Sequence, residues 1–254
     1  MILDLFKLNG KTALVTGAGR GLGQGMAIAL AEAGADVAGL DVIPQDETAE
    51  KVQSLGRRFL PVSANLLTAH ADDVTRVVDD VVSGLGRLDI LVNNAGIIRR
   101  APVLEFSEKD WDDVMSINLK AVFLLSQAAG RVMAAQGSGK IINIASMLSF
   151  QGGIRVPSYT ASKSGVAGLT RLFANELAAK GLNINAIAPG YMATDNTAPL
   201  RADAERAPAI LDRIPAGRWG EPSDLMGTVV FLASAASDYM NGAIIPVDGG
   251  WLTR

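Results

Sequence analysis

Residues 12–23 read TALVTGAGRGLG, an aliphatic strand pattern that runs into a glycine-rich turn and then into an alanine-rich helical segment. The backbone can turn tightly and approach a pyrophosphate at these glycines, while the helix N-terminus offers free N–H groups and a positive dipole end. A glycine pattern between a strand and a helix is typical of dinucleotide-binding proteins. The loop residues expected to bind such a cofactor are Gly17, Arg20, Gly21, Leu22 and Gly23.

Beyond this loop, short aliphatic runs alternate with segments of helical period. Strand–helix alternation produces βαβ crossovers, and hence an α/β doubly wound parallel sheet with helices on both faces. The seven predicted strands are Thr12–Thr16, Asp36–Asp41, Arg58–Val62, Asp89–Asn93, Lys140–Ala145, Leu182–Ala188 and Ala243–Val247. Pro61 and Pro246 cannot donate to a sheet ladder, so the third and seventh strands are expected at the two edges.

The chain shows no linker rich in glycine, serine or proline, so residues 1–254 are expected to form one dinucleotide-binding and catalytic domain. The longest stretch without a regular pattern is about 192–217, which is rich in alanine and charge. Long loops in compact domains often form lids or binding loops. The segment 192–217 is therefore predicted to be a substrate loop.

Composition and charge exclude several classes of function. The formal net charge is −3 and no run of lysine or arginine is present, so nucleic acid is not an expected partner. No apolar stretch approaches the ~18 residues of a membrane span, and no signal-peptide pattern is visible, so we expect a cytoplasmic protein. With no cysteine, and a single histidine, His70, in a polar stretch, metal chemistry is not expected.

Asp41 ends the second predicted strand, where a carboxylate can accept hydrogen bonds from both ribose hydroxyls of NAD. A 2′-phosphate at the same place would meet a like charge, which argues against NADP. Arg20 points the other way, because a guanidinium in the phosphate loop can pair with that phosphate. Since a contact between like charges excludes a ligand whereas a flexible arginine only permits one, the predicted cofactor is NAD.

The segment YTASK, residues 159–163, places a tyrosine and a lysine four residues apart, on one face of a helix. A free phenol, with a pKa near ~10, is a poor base at neutral pH. A neighbouring ammonium stabilises the phenolate and lowers that pKa. Ser146, at the end of the fifth strand, can hydrogen-bond a substrate oxygen. The set predicts interconversion of a hydroxyl and a carbonyl, with Tyr159 transferring the proton.

From Leu8 to Trp251 the chain resembles the short-chain dehydrogenase/reductase family. TGAGRGLG, NNAG (residues 93–96), SINLK, YTASK and the pair Pro189–Gly190 follow the family order and spacing. The resemblance implies a single-domain Rossmann-type sheet ordered 3-2-1-4-5-6-7 and a homotetramer. It also implies a catalytic tetrad of Asn118, Ser146, Tyr159 and Lys163.

The resemblance implies further roles around the cofactor. Asn118 would hold a water connected to Lys163, Asn94 would stabilise the central strands, and Thr194 would meet the nicotinamide carboxamide. At Asn65 the family often has an acid that accepts from adenine N6, and the amide oxygen of Asn65 can still accept. The implied cofactor contacts beyond the glycine loop and Asp41 are Asn65, Leu66, Asn94, Ala95, Gly96, Tyr159, Lys163, Pro189, Gly190, Met192 and Thr194.

A narrower resemblance concerns the substrate. The runs NAGIIRR, APGYMATDNT and IPAGRWG are similar to members of the family that act with NAD on keto-deoxy sugar acids of the 2-dehydro-3-deoxy-D-gluconate and 2-deoxy-D-gluconate type. A small acidic sugar needs an arginine for its carboxylate. Arg155 is favoured, because the segment between Ser146 and Tyr159 must border the pocket or a subunit face. The expected substrate residues are Ser146, Gln151, Arg155 and Arg100, with Arg99 a weaker candidate.

The residues leave other substrates and one other class of function open. The same chemistry suits gluconate, a deoxy-hexoseulose uronate from alginate, or a 3-oxoacyl thioester. A non-catalytic dinucleotide-sensing protein could share the fold. The intact set of Ser146, Tyr159 and Lys163 favours an enzyme, because a sensor has no use for a base of this type.

Overall fold

The computed structural model describes all 254 residues and contains one seven-stranded sheet. The strands are β1 Thr12–Thr16, β2 Asp36–Asp41, β3 Phe59–Ser63, β4 Ile90–Asn93, β5 Gly139–Ile144, β6 Leu182–Pro189 and β7 Ile244–Val247. Their order is β3-β2-β1-β4-β5-β6-β7, and all neighbours pair in parallel. The predicted fold class and strand order are confirmed, with Pro61 and Pro246 in the two edge strands.

The strand bounds differ from the predicted ones by one residue at several ends. Arg58 precedes β3, because its N–H donates to the Asp36 carboxylate at 2.9 Å instead of to a neighbouring strand. Ala145 and Ala243 fall just outside β5 and β7, whereas Pro189 belongs to β6. Side-chain hydrogen bonds at strand ends leave no trace in an apolar pattern, which explains the shifts at Arg58 and Ala243.

Nine α-helices connect the strands. They are α1 Gly21–Glu32, α2 Asp46–Ser54, α3 Ala71–Leu85, α4 Glu108–Met115, α5 Ala121–Gln136, α6 Pro157–Leu177, α7 Ala198–Arg201, α8 Arg206–Arg213 and α9 Ser223–Ala233. None of these helices has the length and apolarity needed to cross a membrane. The lone histidine, His70, is exposed where α3 begins, and its N–H donates to Asp73.

Helices cover both faces of the sheet through two aliphatic clusters. On one face Leu30 of α1 and Val229 of α9 are fully buried against the strands. On the other face Val78 of α3 and Leu125 of α5 are buried in the same way. A parallel sheet covered on both faces needs such continuous aliphatic strands. The packing leaves the carboxyl ends of the strands as the open edge of the molecule.

One turn of π-helix, Ser116–Lys120, separates α4 from α5 and contains Asn118. Helix α4 begins at Ser107, whose hydroxyl accepts from the Asp110 N–H at 3.1 Å and caps the helix. Single π-turns inside helices are rare and occur frequently at functional sites. This turn places the Asn118 side chain in the interior, where it is fully buried.

The segment 192–217 is not the irregular loop that the sequence predicts. It contains a 3₁₀ turn, Asp195–Thr197, followed by α7 and α8. Apolar side chains of both helices pack against Met147 and Trp251 near the carboxyl end of the sheet. The helices have only four and eight residues, which is too short for a helical period to show in the sequence. We call residues 192–217 the lid segment.

Candidate active site

A cleft of about 390 Å³ runs along the carboxyl ends of the strands. It brings together most of the predicted site residues, which come from six separate connections. Those that line it are Gly17, Arg20, Gly21, Leu22, Asp41, Asn65, Leu66, Asn94, Ala95, Gly96, Ser146, Tyr159, Lys163, Pro189, Gly190, Met192 and Thr194. A second cavity of about 620 Å³ lies at the opposite ends of the strands and contains none of them, so the cleft is the candidate site.

The glycine loop leaves the start of α1 open toward this cleft. Gly17 and Gly21 have positive φ angles of 69° and 60°, which favour glycine. Arg20 caps α1 with its backbone only, so the first N–H groups of the helix are free to meet an anion. Gly23 does not line the cleft; a Cβ there would lie 2.0 Å from the Gly17 carbonyl oxygen. Its role is close packing of the helix on the loop and not direct contact.

Asp41 lies at the end of β2 with both carboxylate oxygens oriented by the backbone. One oxygen accepts from the Gly19 N–H at 2.9 Å, and the other accepts from the Val42 N–H at 2.7 Å. These bonds hold the carboxylate at the rim of the cleft beside the glycine loop. The guanidinium of Arg20 turns away from it and pairs with Asp195 of the lid segment at 3.0 Å.

Two asparagines have well-defined partners. The side-chain amide of Asn94 donates to the Thr16 carbonyl at 2.9 Å. The backbone N–H of Asn94 donates to the Thr16 hydroxyl, also at 2.9 Å. These two bonds tie β1 to the chain after β4. The amide oxygen of Asn65 accepts from the Leu67 N–H at 3.0 Å. That oxygen is partly used within its own turn, which leaves one lone pair for a ligand.

Helix α6 carries Tyr159 and Lys163 on one face, as predicted. The Lys163 side chain is 4% exposed, and its Nζ donates to the Ile144 carbonyl at 2.5 Å. Nζ lies 5.6 Å from the centre of the Tyr159 ring. Burial lowers the pKa of Lys163 to about 8. Burial raises the pKa of Tyr159, while a hydrogen bond with Ser146 and the charge of Arg100 lower it.

Asn118 lies beneath this pair and does not line the cleft. Its amide oxygen accepts from the Ile97 N–H and its amide nitrogen donates to the Ile97 carbonyl, both at 2.9 Å. The same nitrogen approaches the Ser162 hydroxyl at 3.4 Å. The side chain thus fixes the chain after β4 against α6.

The arginine expected to read a substrate carboxylate is not placed at the cleft. Arg155 is exposed, lies outside the cleft lining, and has a φ of 65°. Its carbonyl accepts from the Ala101 N–H at 3.1 Å, so its backbone joins two loops. Gln151 does not line the cleft either, and Arg99 pairs with Asp110 on the surface. No residue between Ser146 and Tyr159 lines the cleft, so the expectation that this segment borders the substrate pocket finds no support in the structure.

Arg100 is instead the arginine whose charge acts on Tyr159. Its Nη2 donates to the Asn196 carbonyl of the lid segment at 3.1 Å, and its charge lowers the pKa of Tyr159. Burial and the like charge of Arg206 lower the pKa of Arg100 itself. No carboxylate of the protein pairs with Arg100. Arg100 is exposed and, like Arg155, does not line the cleft. What distinguishes it is a guanidinium without a carboxylate partner whose charge acts on Tyr159, which suits an anionic ligand.

Several cleft residues escape sequence reasoning. Val42 and Ile43 line it just after Asp41, and the lid segment adds Asp195, Asn196 and Thr197. Only their position beside the predicted cofactor contacts Asp41 and Thr194 could have identified these residues from the sequence. Tyr191 stacks edge-on with Trp219 and Trp251, with ring centres 5.4 and 4.8 Å apart, which builds an aromatic base for the lid segment.

Comparison with known proteins agrees with this arrangement. A family model described as enoyl-(acyl carrier protein) reductase matches residues 17–252. A protein of Escherichia coli (strain K12) named 2-dehydro-3-deoxy-D-gluconate 5-dehydrogenase is 64% identical over the whole of both chains. A protein of Dickeya dadantii with the same name is 62% identical, again over the whole of both chains.

Among solved structures, a putative 2-deoxy-D-gluconate 3-dehydrogenase from Agrobacterium tumefaciens, with bound NADP, is 56% identical to this chain. It superposes with a TM-score of 0.92 and covers 99% of this chain and 100% of its own. The similarity extends over the lid segment as well as the sheet.

Proposed function

Because this chain belongs to the short-chain dehydrogenase/reductase family, we propose that it interconverts a hydroxyl and a ketone on a keto-deoxy sugar acid, with NAD as hydride carrier. The substrate class is of the 2-dehydro-3-deoxy-D-gluconate and 2-deoxy-D-gluconate type. The observation that carries this proposal is one cleft that contains Ser146, Tyr159 and Lys163 together with the glycine loop and Asp41. The charge of the unpaired Arg100 acts on Tyr159 from outside the cleft lining. We infer that residues 1–254 act as one catalytic unit and that the lid segment covers the substrate.

The residues present fit a nicotinamide dinucleotide. The open helix start at Gly21 would hold the pyrophosphate, and the buried Lys163 would hold the nicotinamide ribose. Asn65 and Thr194 line the same cleft, where they would meet the adenine and the carboxamide. A bound nicotinamide supplies or accepts the hydride at the carbon that carries the reacting oxygen.

The preference for NAD over NADP rests on Asp41. Its carboxylate is held at the rim of the cleft by three backbone N–H groups, those of Gly19, Val42 and Ile43. It would accept from the ribose hydroxyls there, and a 2′-phosphate would meet a charge that cannot turn away. Arg20, the cation that could bind such a phosphate, is engaged by Asp195. The structure from Agrobacterium contains NADP, so both cofactors belong in any assay of this protein.

The proton is moved by the side chains on α6. For oxidation, Tyr159 accepts the proton of the substrate hydroxyl as the hydride leaves, and for reduction it returns that proton to the carbonyl oxygen. Ser146, which lines the cleft together with Tyr159, would donate to the same substrate oxygen and fix its position. The ammonium of Lys163 would stabilise the phenolate form, offsetting the burial that raises the pKa of Tyr159.

Arg100 is the residue best placed to hold the sugar carboxylate. It lies beside Tyr159 and is already oriented by the Asn196 carbonyl of the lid segment. A planar guanidinium binds a carboxylate through two parallel hydrogen bonds, which fixes the direction of the sugar chain. We propose in addition that the enzyme acts in the cytoplasm as a homotetramer, in line with the family resemblance.

A substrate panel followed at the absorbance of NADH tests the function. 2-Dehydro-3-deoxy-D-gluconate and 2-deoxy-D-gluconate should be turned over with kcat/KM values at least tenfold above those for gluconate, a deoxy-hexoseulose uronate or a 3-oxoacyl thioester. A higher value for the thioester would reject the sugar-acid proposal. Binding of NADH without turnover of any compound would instead favour a non-catalytic dinucleotide-sensing protein.

A further inference from the structure

A line of buried polar side chains runs beneath the catalytic residues, between the sheet and two helices. The Asn93 amide at the end of β4 donates to the Asn143 amide oxygen of β5 at 2.8 Å and to the Ser126 hydroxyl of α5 at 3.0 Å. The Asn143 amide donates to the Thr170 hydroxyl of α6 at 2.9 Å. That hydroxyl donates in turn to the Val166 carbonyl at 2.8 Å. Asn93, Asn143 and Thr170 therefore donate one to the next, from β4 through β5 to α6, and the last acceptor is a backbone carbonyl of α6.

These side chains are buried where apolar residues would otherwise be expected. All four are at most 2% exposed, and Leu91 and Ile141, two residues earlier on the same strands, belong to the aliphatic cluster. Burying polar groups costs free energy unless they are hydrogen-bonded, and the Asn93 amide oxygen has no partner. Apolar side chains of similar size would fill the space at lower cost. The line therefore has a function other than stability.

The position of the line relative to Lys163 indicates that function. Thr170 follows Lys163 by two helical turns and lies on the same face of α6. Asn143 directly precedes Ile144, whose carbonyl accepts from Lys163 Nζ. Helix α6 is thus attached to adjacent residues of β5 at two points, one through its catalytic lysine and one through Thr170.

We propose that Asn143 and Thr170 are positioning residues, which fix the register of α6 on β5 and so set the distance between the Lys163 ammonium and Tyr159. This inference needs the Tyr159–Lys163 chemistry of the proposed function but not its substrate. Side-chain packing alone would allow α6 to shift along the sheet, whereas directional hydrogen bonds select one register. A shift of about 1 Å at a catalytic group can cost ~10²-fold in rate.

Thr170→Val tests the proposal, because it removes the hydroxyl and keeps the volume. We expect kcat to fall at least tenfold with little change in KM. If the ammonium recedes from Tyr159, the phenolate is less stabilised, so the rising limb of the pH–rate profile for oxidation should move to higher pH. Thr170→Ser keeps the hydroxyl and should restore both values. Thr170→Ala, which suits a helix, gives the same test should Thr170→Val not fold.

The matched control is Ser237→Ala, which removes a hydroxyl that is 1% exposed and bonded only to the backbone outside the cleft. It should lower the melting temperature and leave the pH profile unchanged. The proposal is overturned if Thr170→Val or Thr170→Ala behaves like this control, or if Thr170→Ser loses as much activity as they do. Every rate is compared with that of the wild type on whichever substrate is turned over, so an incorrect sugar-acid assignment leaves the test intact.

Discussion

Lys163 is 4% exposed, so its ammonium group is buried. The only hydrogen bond of that ammonium within the protein is to the Ile144 carbonyl. Its pKa falls from 10.5 to about 8 because burial penalises the charged form. Below pH 8 both the folded and the unfolded chain hold this proton, and the folded state bears the full cost of burying the charge. Between pH 8 and 10.5 the unfolded chain binds more protons, so the free energy of unfolding rises with pH. Function and stability therefore conflict at this residue.

Lys163→Met is expected to abolish turnover and to stabilise the protein without cofactor. The gain at pH 7 should be on the order of 3 kcal/mol, from the pKa shift to about 8. It should fade as the pH rises from about 8 to 10.5. Urea unfolding at pH 7 and at pH 10.5 measures the difference. A variant less stable than the wild type at both pH values would show that the buried ammonium is not a cost to the fold.

We expect the carboxylate of Asp41 to determine the preference between NADH and NADPH. We expect the wild type to prefer NADH over NADPH at least tenfold in kcat/KM, or ~1.4 kcal/mol. Asp41→Ala should weaken NADH and improve NADPH, because the like charge facing a 2′-phosphate is gone. Asp46→Ala removes an exposed carboxylate outside the cleft and should leave the ratio unchanged. Equal use of both cofactors by the wild type would mean that Arg20 outweighs Asp41.

Among the elements, α1 is the one whose first turn depends most on glycine. Gly21 has a positive φ and open space beside its Cα, as a ligand-binding position requires. Gly23 is the opposite case, because a Cβ would meet the Gly17 carbonyl oxygen at 2.0 Å and the Asn94 amide at 2.5 Å. The loop and the helix can be packed this closely only without a side chain.

Gly23→Ala should therefore destabilise the protein by about 1–3 kcal/mol and remove NADH binding, because the loop backbone must move. Gly227→Ala is the control within a helix, on the exposed side of α9 with no atom within 4 Å of the new Cβ. It should stabilise the protein by roughly 0.5–1 kcal/mol. Thermal unfolding and NADH titration of both variants make the comparison. Normal NADH binding by Gly23→Ala would contradict the packing role.

For the molecule as a whole, the sequence predicts the strands and the motifs that follow them along the chain. It does not predict contacts between residues that only folding brings together. Two prolines predict the edges of the sheet, and the glycine loop, Asp41 and Tyr159 predict the cleft. The sequence indicates residues 192–217 as a substrate loop but does not predict α7 and α8, because these helices are too short to show a period. Arg155 was preferred to Arg100 because sequence distance from Ser146 gives no side-chain direction. Only the fold brings Arg100, from the connection after β4, next to Tyr159 and the lid segment.

Substitution of Arg100 and of Arg155 tests which of the two arginines binds the substrate carboxylate. Arg100→Ala should raise KM for carboxylated substrates by a loss of ~1.5–3 kcal/mol, the cost of a charged hydrogen bond. A neutral keto-sugar of the same length should barely respond. Arg155→Ala alters an exposed side chain whose charge does not act on Tyr159, so it should leave both substrates unaffected. A larger effect at Arg155 than at Arg100 would show that the carboxylate is read from the loop before α6.

The central claim is that Tyr159 transfers the proton during NAD-linked conversion of a keto-deoxy sugar acid. Single-turnover oxidation of the sugar acid by wild type and Tyr159→Phe, with NADH binding measured in parallel, tests it most directly. We expect Tyr159→Phe to lower the hydride-transfer rate by ~10²–10⁴-fold. Its affinity for NADH should be nearly unchanged, because only the ionisable hydroxyl is removed. A Tyr159→Phe variant that retains more than a tenth of the wild-type rate would contradict the central claim.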